Sequence, residues 1–105
     1  MSSIALIVQA DEPALFFSSV SGAEGYLEAI DVSDGVYPIA YGPDGQVFQL
    51  EAIGDRVRIN SVEGSKAPDD LRALLLRYLS AAKQHDVRST DPLSGLLARC
   101  ETAVI

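Results

Sequence analysis

The chain opens on an unbroken apolar run, "IALIV" from Ile4 to Val8, rich in β-branched residues. Such a run reads as a strand. The polar "ADEP" interrupts it, and "ALFFSS" supplies a second short strand. The period then changes. Val20, Ala23, Leu27 and Ile30 recur at helical spacing, which predicts a helix from about Ser21 to Ile30. Ser21 and Glu24 stand at the spacing of a capping box, in which hydroxyl and carboxylate satisfy free backbone N–H groups. Gly22 and Gly25 lie inside the segment and weaken it, so tertiary contacts must help to hold it.

"DVSDG" reads as a loop, and "VYPIAY" alternates as a strand. Pro38 has no N–H to give a ladder, which places this strand at an edge or a bulge. "GPDG" (42–45) is a turn, with φ preset by Pro43 and the return permitted by Gly45. In "QVFQLEAI", Phe48, Leu50 and Ala52 share one face; Gly54-Asp55 is a hairpin signal. "RVRINSV" returns with Val57 and Ile59 inward and Arg56 and Arg58 outward, so the three runs form a meander. Pro68 then suits a first helical position, with Asp69 and Asp70 at the positive end of the dipole. Leu71, Leu74, Leu75, Tyr78, Leu79 and Ala82 make the stripe that a helix lays on a sheet. Asp91-Pro92 opens a last short helix with Leu93, Leu96, Leu97 and Cys100 inward. No repeat or boundary divides the 105 residues. The expected structure is a single α+β domain, 1–105: an antiparallel sheet of four to five strands with helices packed largely on one face.

Charge adds a question that the pattern does not raise. Up to Asp55 the chain carries Asp11, Glu12, Glu24, Glu28, Asp31, Asp34, Asp44, Glu51 and Asp55, and the first basic side chain is Arg56. From there on basic residues outnumber acids, eight to six, within a net charge of −7. That balance argues against nucleic acid or an anionic membrane as a direct partner. An acidic surface serves solubility in many proteins; here it also suits a cationic partner. A helix from Ser21 to Ile30 would put Glu24 and Glu28 one turn apart on one face, with Asp31 close by. Tyr37 and Tyr41 would share a strand beside them, and Asp44 the adjoining turn. Those seven, Glu24, Glu28, Asp31, Asp34, Tyr37, Tyr41 and Asp44, are the candidate partner-binding residues.

Catalytic chemistry finds little to work with. The one histidine, His85, falls near the end of the long helix, where it suits the negative helix end, and the one cysteine, Cys100, falls on an apolar stripe. A Cys–His dyad would need those two elements to fold back on each other. Histidine and cysteine are too few for a zinc site, and "DVSDG" lacks the remaining ligands of a calcium loop. No glycine pattern matches a phosphate cradle. The expectation is a binding protein without catalytic residues, metal or cofactor. A lone cysteine fits a reducing compartment, and no apolar run approaches a signal-peptide core or a membrane span, so a cytoplasmic location is expected.

A further pattern runs through Phe17-Ser18-Ser19, Tyr26-Leu27-Glu28, Ile30-Asp31-Val32, Gly35, Tyr37, Tyr41 and Gly45. In these positions the segment from Phe16 to Leu50 resembles small bacterial immunity proteins that accompany polymorphic and contact-dependent growth-inhibition toxins. The resemblance implies a protein partner, the cognate toxin domain, bound by a monomer or weak homodimer. A nuclease is the toxin class that a carboxylate-bearing inhibitor suits, because nucleases hold phosphate backbones on basic surfaces. Two other classes remain open: a small acidic secretion chaperone that grips an effector segment, and a small enzyme or metal-dependent regulator.

Overall fold

The computed structural model describes residues 3–84, 87–88 and 90–105. Five strands form one antiparallel sheet in the order β2-β1-β3-β4-β5: Leu6–Gln9, Ala14–Phe17, Ala40–Tyr41, Gln46–Ile53 and Arg56–Lys66 for β1 to β5. Helices α1 (Val20–Tyr26) and α2 (Ala29–Ser33) lie between β2 and β3 in sequence; α3 (Pro68–Ala81) and α4 (Leu93–Ala98) follow the sheet. The α+β class and the β3-β4-β5 meander agree with the sequence expectation.

Apolar runs without alternation place side chains on both sides of a strand, and each side must then be covered. Ile7, Phe16 and Tyr41 enter one cluster with Leu71, Leu74, Leu75 and Leu79 of α3 and Leu96 and Leu97 of α4. Their neighbours Leu6, Val8, Phe17 and Ala40 enter a second cluster with Ala23 and Leu27 of the α1 segment and Val57 and Ile59 of β5. The larger helical layer, α3 with α4, therefore takes one face, and the short α1 and α2 cover the other. Where β4 and β5 extend beyond α3, they alternate as a half-buried hairpin: Val57 and Ile59 are buried, and Arg56, Arg58 and Asn60 are exposed.

Three local expectations change. The strand expected at an edge or a bulge is central: β3 pairs with β1 (Val8↔Ala40) and with β4 (Ala40↔Phe48). Pro38 is tolerated because the strand begins only at Ala40, while the Ile39 carbonyl still accepts from the Gln9 N–H at 2.9 Å. The helix expected from Ser21 to Ile30 breaks at Leu27 into α1 and α2. Ala82, expected on the stripe, is exposed because α3 ends at Ala81.

The outer edge of β2 is partly covered, and the β4–β5 ladder is interrupted. The C-terminal residues lie along β2, with a parallel bridge Phe16↔Val104 and the Ile105 N–H on the Phe16 carbonyl at 2.8 Å. On β5, residues 62–65 bulge out opposite Val47, with Gly64 at φ +75°. The Gln46 side-chain amide fills that gap by donating to the Val62 and Ser65 carbonyls at 2.7 and 3.0 Å.

Candidate functional site

The α1–α2 corner decides what the acidic segment can present. Ser19, not Ser21, caps α1, accepting from the Gly22 N–H at 2.9 Å. Gly22 is fitted to that cap, since a Cβ there would lie 2.8 Å from the Ser19 hydroxyl oxygen. Glu24 is thereby free of the expected capping box and reaches the sheet instead. Its carboxylate accepts from the Ile59 N–H of β5 at 2.7 Å. Ile59 is buried, and its N–H faces away from β4, so Glu24 plugs an open strand edge.

The chain turns at Leu27, and the carbonyl of Glu28 starts α2 by accepting from the Asp31 and Val32 N–H groups. Glu28 and Asp34 are exposed at the two ends of this one-turn helix, and Asp31 is half-buried in its first turn. Glu24 and Glu28 thus belong to different helices and do not form one repelling pair. Tyr37 follows, packed against the second core cluster. Its hydroxyl is held above the usual tyrosine range by burial first, then by Asp31, Glu12, Tyr26 and Glu28. The carboxylates Asp31, Glu12 and Glu28 therefore converge on one region.

Two candidates leave this surface. Tyr41 is 4% exposed and belongs to the opposite cluster, so it is a core residue; Tyr37 and Tyr41 do not share a strand face. Asp44 sits in the Gly42–Gly45 turn, where it accepts from the Gln46 N–H at 3.1 Å and pairs with Lys66 at 3.4 Å. The Gln46 N–H, followed by Lys66, holds its carboxyl below the usual range. Asp44 is thus engaged within the fold, where the sequence pattern had left it without a basic neighbour. Glu28, Asp31, Asp34 and Tyr37 remain together.

Sequence reasoning missed the apolar half of the site. Tyr26 and Ile30 are 56% and 64% exposed, although both were placed in or beside a helix expected to pack inward. The Tyr26 ring keeps an edge contact with Phe17, 5.5 Å between centroids. The two flank a depression of about 610 Å³ between the α1–α2 corner and the β4–β5 hairpin tip, where Gly54 and Asp55 form the far wall. Adjoining hollows under Glu24 carry it on toward Ile53, Arg56 and Arg58. The groove follows from the break at Leu27, which the helical spacing did not mark: a five-residue α2 does not keep the register that would turn Ile30 inward.

Cys100 is buried, and burial followed by Glu101 pushes its thiol up to about 11, where almost no nucleophilic thiolate exists near neutrality. His85 lies outside the described residues, as does the dyad it would complete. Among the described residues no three of His, Cys, Asp and Glu group as a metal site would need. No helix among them is long and apolar enough to cross a membrane. No family model, no curated protein and no solved structure matches the chain.

Proposed function

We propose that the protein is an immunity-type inhibitor that binds a basic protein, a cognate bacterial toxin domain, through the surface built by α1 and α2. A nuclease is the toxin class that fits best. One observation carries the reading: Glu28, Asp31 and Asp34 sit together on α2 with no ion-pair partner among the described residues, beside exposed Tyr26 and Ile30. Carboxylates left this way are solvated in the free protein and attract Lys and Arg side chains on a partner. Charge of this sort acts mainly on encounter, raising on-rates toward about 10⁸ M⁻¹s⁻¹ at low salt. The apolar neighbours then supply the contact that slows dissociation. An inhibitor of this kind would act on an incoming toxin in the cytoplasm.

The test begins with the gene immediately upstream of this chain, where this reading expects a toxin domain. Co-expression should protect cells, and the purified pair should associate faster as salt is lowered. Glu28→Lys with Asp34→Lys alters only exposed groups and should keep the fold while slowing association and abolishing protection. A folded double variant that protects as well as wild type would remove α2 from the interface. A neighbouring gene without a toxin domain would remove the reading itself.

A further inference from the structure

Helix α1 contains two glycines, and only one of them is explained by the fold. Gly22 is held by the Ser19 hydroxyl, which a Cβ would strike. A Cβ on Gly25 would meet nothing within 4 Å, and its φ is outside the left-handed region. Glycine at such a position weakens a helix relative to alanine and gains no turn or close approach in return. Gly25 does have one distinctive place: it lines both the depression beside Tyr26 and Ile30 and the hollow that continues it under Glu24. Any side chain there would project over open groove. The wall opposite is the hairpin tip, where Gly54 takes φ +62° and again carries no side chain over the opening.

The groove therefore has a bare floor, two exposed apolar side chains on one bank, and carboxylates at Glu28 and Asp55 on either side. The depression beside Tyr26 and Ile30 has only carboxylates, Glu28 and Asp55, for charged lining and so suits Lys and Arg there, whereas its continuation under Glu24 is lined by Arg56 and Arg58; the apolar bank has no occupant among the described residues. Resting on the reading of this surface as a docking face for a basic protein, we infer that the groove over Gly25 seats an apolar side chain of the partner, flanked by Lys or Arg. The apolar residue lies between Tyr26 and Ile30, above Gly25. The flanking cations meet Glu28 and Asp55. Gly25 is then a specificity position, its missing side chain making room for the partner's.

A defined probe tests the groove without the toxin: a short capped peptide alternating leucine with lysine, against serine–lysine and leucine–glutamate peptides of the same length. Titration followed by backbone amide shifts should map the leucine–lysine peptide to Gly25, Tyr26, Ile30 and Gly54. The serine–lysine peptide should bind about tenfold more weakly, the factor that partial burial of one aliphatic side chain supplies. Ile30→Ser and Gly25→Gln should each lower affinity by a similar factor; both positions are exposed, so the fold should survive, and Gly25→Gln should melt no lower than wild type. Equal binding of the two lysine peptides, with shifts around Asp31 and Asp34, would overturn the groove and leave the acidic docking face standing. No binding by the leucine–lysine peptide would also overturn the groove, whereas the docking face falls on its own test, the association rate of the charge-reversed variant. A dimer in sedimentation that Ile30→Ser dissociates would overturn it too, by giving the groove to a second copy of this chain.

Discussion

Charge reversal at Glu24 should destabilise the protein, although the sequence pattern points the other way. Counted as one of two like charges on a helix face, Glu24 could be replaced by lysine with no loss or a slight gain. In the structure its carboxylate accepts from the Ile59 N–H at 2.7 Å, at the edge of β5. Net hydrogen bonds to charged groups contribute about 1.5–3 kcal/mol, and water can replace part of this one because Glu24 is only half-buried. Glu24→Ala should therefore cost about 1 kcal/mol, against a total of roughly 5–15 kcal/mol for a domain. That corresponds to a fall in Tm of about 4 °C. Glu24→Gln keeps a carbonyl oxygen that can accept and should cost less. Glu24→Lys has no acceptor and adds a cation to a hollow already lined by Arg56 and Arg58, so it should cost most. Glu28→Lys, exposed and unbonded, should stay within about 0.5 kcal/mol of wild type. Urea melts give the order, and hydrogen exchange at the Ile59 amide gives the cause: slow in wild type, fast in Glu24→Ala. Unchanged exchange at Ile59, or equal stability of the Ala and Gln variants, would refute the edge plug.

Two further outcomes test the core. Leu75, fully buried in the cluster beneath α3, should cost about 2–5 kcal/mol when replaced by alanine, seen as a lower urea midpoint at unchanged slope; an unchanged midpoint would mean that α3 presents another face. Cys100, its thiol raised from 9.0 to about 11, should react with a thiol reagent at pH 8 only as fast as the protein opens. Because the folded state holds that proton more tightly than the unfolded one, the Cys100 contribution to stability is fully present below pH 9.0 and is lost as pH rises toward about 11. Cys100→Ala should flatten that decline, and an unaltered slope would assign it to other groups.

Legibility in the sequence followed the range of the interactions involved. Alternation in Gln46–Ile53, the Gly54-Asp55 turn and the leucine spacing of α3 are local signals, and each element formed, although β5 runs on to Lys66 and α3 stops before Ala82. Helices were expected largely on one face; the runs Leu6-Ile7-Val8 and Phe16-Phe17 leave no polar face, and the short α1 and α2 cover the second. The position of β3 was not in the pattern. Pro38 argues for an edge only if the strand includes it, and β3 begins two residues later, fixed by partners from β1 and β4. Glu24 was misread for a similar reason: its spacing from Ser21 fits a local cap, but Ser19 supplies the cap, and the carboxylate bonds a strand 35 residues away. Of the candidate site, the acids of α2 could be read from composition. Tyr26 and Ile30 could not, because their exposure depends on where the helix breaks.

The engaged groups on the outer strands bear on what kind of partner the molecule can take. Adding an extended segment to a sheet needs a strand with free outward N–H and C=O groups. On β2 the C-terminal residues already use the Phe16 carbonyl, and on β5 Glu24 uses the Ile59 N–H while residues 62–65 leave the ladder. A chaperone gripping an effector strand would have to displace these contacts first. A folded partner that lies on the α1–α2 corner displaces nothing. Solvation alone, the simplest account of an acidic surface, explains Glu28, Asp31 and Asp34 equally well. It does not explain why Ile30 is 64% exposed beside them, or why α1 carries a glycine at position 25 that the fold does not require. The glycine weakens α1 and the exposed isoleucine gains no burial in the free protein, and both become useful when an apolar side chain bordered by positive charge arrives at that corner.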